Sequence, residues 1–431
     1  MDDRLFTHDG LLLLLSTFLN SVPVGYINVV PLVYLAEIGY DPSTIGIIYS
    51  ASAVATTIGL IPCGLMADKY GKKKLLLVGT FLPILSYAIF GLTLDSTLLT
   101  IASIIGGVGF AGGLGAAIAS PSFIPMLADS TSDKNRSTLF GVLQSTWALA
   151  LTVGSALSFL PTLLSSCFAQ SEKSAHFESY FIMSAVAAAS VVPIFFVHEN
   201  GHRTDPKPLS RSKPALPLVP QLEMPSQPRK VGVTYWSRIA QFSTIFAFTG
   251  FGLGVLVQLL PTWFSLRYGA SESTIGFWMA FSNLATIVSI PLIPRLVNKR
   301  GIIWTAVATG ILGAFMLALM PLAAAFETAA ALFAVRCVTV GVSWAVVQSF
   351  MMGAVEEGER ATLYGFAYTA WGVGVSLGIL IGGEFFGLGL LTLPFVAAVI
   401  SYLISSAALQ LFFSKIKPVE VTRFSMPRIS D

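Results

Sequence analysis

Residues 64–74 read Gly64-Leu65-Met66-Ala67-Asp68-Lys69-Tyr70-Gly71-Lys72-Lys73-Lys74, and apolar sequence long enough to cross a bilayer flanks them on both sides. Gly64 allows two helices to approach closely, and Gly71 can take the positive φ that a tight turn needs. Asp68 closes an apolar run that reads as a helix, where a carboxylate opposes the negative end of the helix's own dipole. A charge placed so unfavourably needs a partner elsewhere in the fold. The lysines open the next run, and positive loop residues are retained on the cytoplasmic face of a membrane. A short charged hinge between two membrane-length helices makes the chain an all-α polytopic membrane protein.

Composition agrees. Of 431 residues, 54% are hydrophobic and 11% charged, against about 25% charged in a soluble protein. A bilayer core needs about 20 apolar residues per helix, and only helices or closed barrels satisfy their own backbone groups there. The period-two alternation of barrel strands is absent. Twelve spans are expected near 10–36, 45–67, 74–94, 97–126, 138–160, 177–198, 236–266, 274–296, 302–322, 327–353, 361–385 and 389–413. The first is a retained helix, since no small-residue cleavage site follows it. Cys63 and Cys337 lie in apolar runs and Cys167 in a connecting loop, with neither metal spacing nor a disulfide framework. No nucleophile–base pair, cofactor motif or metal cluster appears, so an enzyme is not expected. The net charge of +3 carries no argument for nucleic acid.

Residues 199–235 hold seven prolines among basic residues, which favours extended, solvated chain. They form a linker between an N-terminal six-helix bundle, 1–198, and a C-terminal one, 236–413, followed by a tail, 414–431. With the N-terminus cytoplasmic, all but Lys173, Arg267 and Arg336 of the 25 basic residues fall in cytoplasmic segments. Both termini are therefore expected inside, in the plasma membrane.

The two halves echo each other. At an offset of 230, Asn28-Val-Val-Pro31 lies over Gln258-Leu-Leu-Pro261, Ser43-Thr44-Ile45-Gly46 over Ser273-Thr274-Ile275-Gly276, and Gly71 over Gly301. At 224, Arg136-Ser-Thr-Leu-Phe-Gly141 lies over Arg360-Ala-Thr-Leu-Tyr-Gly365, Trp147 over Trp371, and Gly154 over Gly378. Parallel repeats about an axis along the membrane normal build one large class of transporter.

With this repeat, the G-x-x-x-D-x-x-G-K-K-K stretch resembles the loop between the second and third helices of the major facilitator superfamily. The resemblance covers nearly the whole chain and implies two pseudo-symmetric six-helix bundles. It also implies a conformational latch of Gly64, Asp68, Gly71, Arg136 and Arg360, in which Asp68 caps the start of the eleventh helix when the transporter faces outward. Free N–H groups there suit a carboxylate. The second half has Asn298 where the first has Asp68, so the charged latch exists once. Lys72, Lys73 and Lys74 are expected to contact anionic lipid. Drug–proton antiporters of the superfamily carry an arginine and a proline–glycine motif where this chain has Ile104-Ile105-Gly106-Gly107 and Gly154-Ser155-Ala156-Leu157.

Arg336 lies about 13 Å into the tenth span, with Thr339 and Ser343 on its face. An intramembrane arginine marks a functional site by default. Two alternatives stand: it binds an anionic group of a cargo through its planar fork of donors, or it bridges helices. No Asp, Glu or His lies at midplane, so no titratable relay is expected. Asn28, Gln144, Trp147, Gln258, Asn283, Ser343, Tyr368 and Trp371 join Arg336 as candidate cargo-binding residues converging from both halves; taken singly, each also fits interhelical packing with a satisfied hydrogen bond. Asn28 and Gln258 can also serve an outer gate bending at Pro31 and Pro261. The glycines from Gly106 to Gly115 are expected to serve close packing. The expected function is a monomeric secondary-active or facilitative transporter of a small organic solute, anionic if Arg336 binds it, working by alternating access. A multidrug or metabolite exporter with an aromatic-lined pocket is the alternative. A non-transporting receptor or scaffold on the same fold is the alternative of another class.

Overall fold

The computed structural model describes residues 7–109, 112–130, 136–198, 233–355 and 360–414; side chains at 61, 64, 65, 67, 68, 125, 128, 129, 136–138, 140, 141, 233, 234, 290, 360 and 361 fall outside that description. The linker and tail expected at 199–235 and 414–431 lie almost wholly beyond it. Among the described residues every regular element is helical.

The N-terminal half holds α1 (His8–Ile27), α2 (Val30–Glu37), α3 (Pro42–Tyr70), α4 (Lys72–Phe90), α5 (Ser96–Gly106), α6 (Gly113–Asp129), α7 (Arg136–Ala156), α8 (Leu160–Phe168) and α9 (Glu172–Phe196). The C-terminal half holds α10 (Val233–Val255), α11 (Leu260–Tyr268), α12 (Glu272–Ile287), α13 (Ser289–Arg300), α14 (Ile302–Leu319), α15 (Phe326–Gly353), α16 (Arg360–Gly387) and α17 (Leu393–Phe413). Ten helical stretches are long and apolar enough to cross a membrane, and α12 with α13, bent by 50°, makes an eleventh. The remaining position in the order is filled by α5 and α6, each short but apolar.

Proline sets three of the interruptions. Pro31, Pro161 and Pro261 each stand in the first turn of the helix that resumes the run, α2, α8 and α11. A proline lacks the N–H that would continue the preceding helix and clashes with it, so the chain breaks just before each. The bends expected at Pro31 and Pro261 are present. The fifth stretch runs on through α8, which puts Cys167 on a helix and exposed rather than in a connecting loop.

The fourth span departs from expectation. Gly107, Gly109, Gly112 and Gly113 have φ of +87°, +75°, +73° and +59°, so these glycines end and restart the helix. Close packing is served by Gly106, Gly109 and Gly115: a Cβ on Gly106 would come within 2.4–2.6 Å of Ser86, Leu82 and Pro83, one on Gly109 would lie 2.7 Å from Gln258 Nε2, and one on Gly115 would lie 3.0 Å from Gly79 O. Backbone freed in an apolar interior needs partners, and α3 supplies them. Val108 N donates to Ser52 Oγ at 3.2 Å, and Thr56 Oγ1 donates to Gly113 O at 3.0 Å.

Lys73 also has partners within the protein. Its ammonium donates to Phe195 O at 2.9 Å and Val197 O at 2.7 Å, capping the carbonyl end of α9 where a cation is favoured.

Three apolar cores show how the halves meet. One draws on both: Tyr26, Val30 and Tyr49 of the first half pack with Leu256, Trp263 and Ile379 of the second. The other two are private. Leu13, Leu76, Leu127 and Ile194 form one within the first half, and Phe242, Val346, Leu363 and Phe413 form the other within the second. The private cores lie at the end bearing the α3–α4 and α13–α14 loops, called here the basic end. Among the described residues, the core shared by the halves lies toward the opposite end, hereafter the fused end, and each half has its own core at the basic end.

Candidate functional site

Repeat-matched residues meet at the fused end. Gln258, 3% exposed, donates Nε2–H to Asn28 Oδ1 at 3.2 Å. Thr262 Oγ1 donates to Leu32 O at 2.9 Å. Glycine closes the flanks. Gly46 of α3 lies against Gly383 of α16, 2.9 Å from where its Cβ would stand, and Gly276 of α12 lies against Ser155 O and Ser158 of α7 and the turn after it. Further along, Ser50 Oγ donates to Ser376 O at 2.9 Å and Asn283 Nδ2 donates to Ser155 Oγ at 3.3 Å. Asn283 is thus a seam contact between halves.

The same end holds a pair whose members nothing in the sequence joins. His176 on α9 places Nε2 3.0 Å from both carboxylate oxygens of Glu272 on α12. Its Nδ1 is 2.7 Å from Glu172 O, and the Tyr34 ring stacks on the imidazole at 3.7 Å. Glu272 is the first residue of α12 and His176 the fifth of α9, 96 positions apart. Ser271 caps α12, which made Glu272 legible only as a first-turn acid.

Going from the fused end toward the basic end, one face of α16 changes character. Ile379 and Val375 are 2% exposed in the shared core, whereas Tyr364 is 40% exposed. Between them stand Trp371 and Tyr368, on the same face by their i, i+4, i+7 spacing. Tyr364 and Tyr368 stack at 4.0 Å. Trp344 of α15 lies 6.2 Å from Tyr368 and 6.3 Å from Trp371, and Phe246 of α10 lies 5.3 Å from Trp344. Gln348 Nε2 donates to Tyr368 Oη. On the first half, Gln144 and Trp147 of α7 are exposed. Of the predicted residues, Tyr368 and Trp371 belong to this aromatic cluster of the second half. Phe246 and Trp344 were missed because aromatic residues in a membrane span read as packing, and Gln348 because nothing in the sequence sets it beside Tyr368.

Arg336 stands elsewhere. It is 4% exposed and donates Nη2–H to Tyr402 Oη at 2.8 Å, with its guanidinium over the rings of Tyr402 and Phe333 at 5.2 and 5.8 Å. These contacts lie within the second half, between α15 and α17, and α14 closes the site at Gly313. Its Nε is buried without a partner. Ser343 is turned the same way and donates to Ala306 O at 2.9 Å. Of the two alternatives for Arg336, the contacts are those of a helix bridge.

Of the latch, Gly71 and Gly301 take φ of +96° and +86° at the α3–α4 and α13–α14 turns. The side chains of Gly64, Asp68, Arg136 and Arg360 lie outside the described residues. No group of three or more metal-ligating side chains occurs among the described residues.

The family model described as Major Facilitator Superfamily matches residues 13–379 and 268–426. Multidrug resistance protein 2 of Bacillus subtilis is 24% identical over 316 residues, 72% of each chain. The proton-coupled antiporter flippase LtaA of Staphylococcus saprophyticus is 22% identical over 384 residues, 86% of this chain and 85% of that one. Among solved structures, a variant of the nucleoside transporter NupG superposes with a TM-score of 0.69 at 14% identity, covering 94% of this chain and all of that one.

Proposed function

The chain belongs to the major facilitator superfamily, and from that premise we propose that it carries a small organic solute with a flat aromatic or apolar part by rocking two six-helix halves about an aromatic wall. The observation that carries this is the change along one face of α16, from Val375 and Ile379 in the core shared by both halves to the exposed Tyr364. A seam fused at one end and open at the other is one extreme of alternating access. The positive-inside rule puts the basic end in the cytoplasm, so this form is open inward and closed outward.

Recognition then rests on stacking. Trp344, Tyr364, Tyr368 and Trp371 offer ring faces, with the fully buried Phe246 backing Trp344, while Gln348 and Gln144 offer amide groups. Among the described residues no charged side chain joins this wall. That favours cargo chosen by shape and ring contact, as the aromatic-lined exporter reading holds. Asp68 at the inner loop remains the proposed latch of the opposite, outward-facing form.

The test is a thermal-shift panel on purified protein, since a ligand that binds the folded form raises stability by mass action. Planar aromatic compounds are expected to raise the melting temperature, and the double variant Trp344→Ala/Tyr368→Ala to abolish the rise. Hits confined to non-aromatic anions, insensitive to that variant and lost in Arg336→Gln, overturn the proposal.

A further inference from the structure

We propose that His176 and Glu272 form a one-proton lock on the outer end: closing that end binds a proton between the two side chains, and losing it lets the end open. The proposal rests on the alternating-access reading and adds the ion that biases it.

Hydrogen-bond arithmetic leads there. A carbonyl oxygen only accepts, so the 2.7 Å contact between His176 Nδ1 and Glu172 O requires the hydrogen on Nδ1. A neutral imidazole in that tautomer presents a bare lone pair at Nε2. Facing it at 3.0 Å are both oxygens of Glu272, and an ionised carboxylate has no hydrogen to give. Lone pairs would meet lone pairs. The contact holds only with one more proton in it, on Nε2 as imidazolium or on the carboxyl facing a neutral ring. The side chains are 9% and 7% exposed, so bulk water does not relieve the repulsion once that proton is gone.

The surroundings keep the proton in place. Glu37 on α2 and Glu172 on α9 lie within electrostatic reach of the pair, as do the phenols of Tyr26, Tyr34 and Tyr180. The field of these carboxylates favours the protonated pair, while the Lys173 ammonium on α9, held over the Phe177 ring at 5.5 Å, opposes it. The Tyr34 ring, stacked at 3.7 Å, fixes the imidazole plane.

Separation changes the proton count. In water a histidine titrates near about 6.5 and a glutamate near about 4.3. With the end open at about pH 8, the ring is neutral and the carboxylate ionised, so closing takes up close to one proton from the outer solution. Below about pH 5.5 the open form already carries that proton on His176 and the linkage vanishes. The closed form holds more protons, so it is favoured at low pH and lost as pH rises.

The experiment measures the distance across the outer end in full-length protein in lipid nanodiscs. Spin labels go on Leu92→Cys and Leu322→Cys, both exposed in loops of opposite halves, with the three native cysteines replaced. The closed-to-open ratio is expected to fall by up to about tenfold per pH unit above about pH 7. Glu272→Gln is expected to stay closed with less than about twofold change, because its carboxamide N–H donates to the neutral Nε2 without a titrating proton. His176→Ala is expected to lie open at every pH. If two conformers exchange with pH-independent populations in the unmodified pair, or Glu272→Gln titrates like it, the lock is overturned and rocking stands. A single distance in all three proteins at every pH overturns rocking and the lock together.

Discussion

Gln258 donates its amide N–H to Asn28 Oδ1 across 3.2 Å, and the two residues hold the same place in the two halves. A position of the repeat thus bonds to its own counterpart, which places the contact on the internal two-fold axis. Gln258→Leu removes the donor to the half-buried Asn28, a loss of about 0.5–1.5 kcal/mol, carried by the outer-closed form alone. Spin-label populations across the outer end should shift about twofold to tenfold toward open. An unchanged distribution would mean the bond closes nothing.

Gly276 lets α12 meet the first half. A Cβ there would stand 2.5 Å from Ser155 O and 1.5 Å from Ser158 Oγ. The hydroxyl can rotate away, but the carbonyl cannot. Gly276→Ala should weaken outer closure and slow flux in liposomes by about tenfold, the effect of about 1.4 kcal/mol on one step. Gly353→Ala, whose Cβ meets open space, provides the baseline and should transport normally.

Trp344 and Tyr368 are the centre of the aromatic wall. An aromatic pair contributes about 0.5–1.5 kcal/mol, so Trp344→Ala should weaken cargo affinity by about threefold to tenfold. Tyr368→Phe keeps the ring and loses the hydroxyl that accepts from Gln348; it should weaken affinity less than Tyr368→Ala. Titration calorimetry orders the three variants. Equal affinities would move the site off this wall.

Arg336 bonds Tyr402 inside the second half, with Nε unpaired. Arg336→Met removes a buried charge at similar volume, a change often neutral or stabilising. It should leave aromatic cargo affinity within about twofold. Arg336→Gln should lower the melting temperature if its shorter amide leaves Tyr402 Oη unpaired. Loss of binding at an unchanged melting temperature would return Arg336 to the cargo site.

Much of the architecture was readable in one dimension. Apolar run length marks the membrane-length helices, ten or eleven of the twelve expected, and a repeat in register over hundreds of positions, from Asn28/Gln258 to Gly154/Gly378, declares two like halves. Proline chemistry is local too, so the breaks before Pro31 and Pro261 followed from the chain alone. Gly107 to Gly113 were read as packing alone because a glycine in an apolar run suits a close helix crossing, a left-handed turn, or, as at Gly109 against Gln258, both. The sequence does not show φ.

What the sequence determined by itself was therefore the hinge at residues 64–74, the helical class, the duplication and the turn glycines, all set by neighbours along the chain. What only the tertiary structure decided was direction. It turned Arg336 toward Tyr402, brought His176 to Glu272, gathered Phe246 and Trp344 beside Tyr368, and put Lys73 on the end of α9. The physical reason lies in the solvent. A helix facing lipid on one side and protein on the other is apolar all round, so hydrophobic periodicity, which names the buried face in water, does not say which way its few polar side chains point.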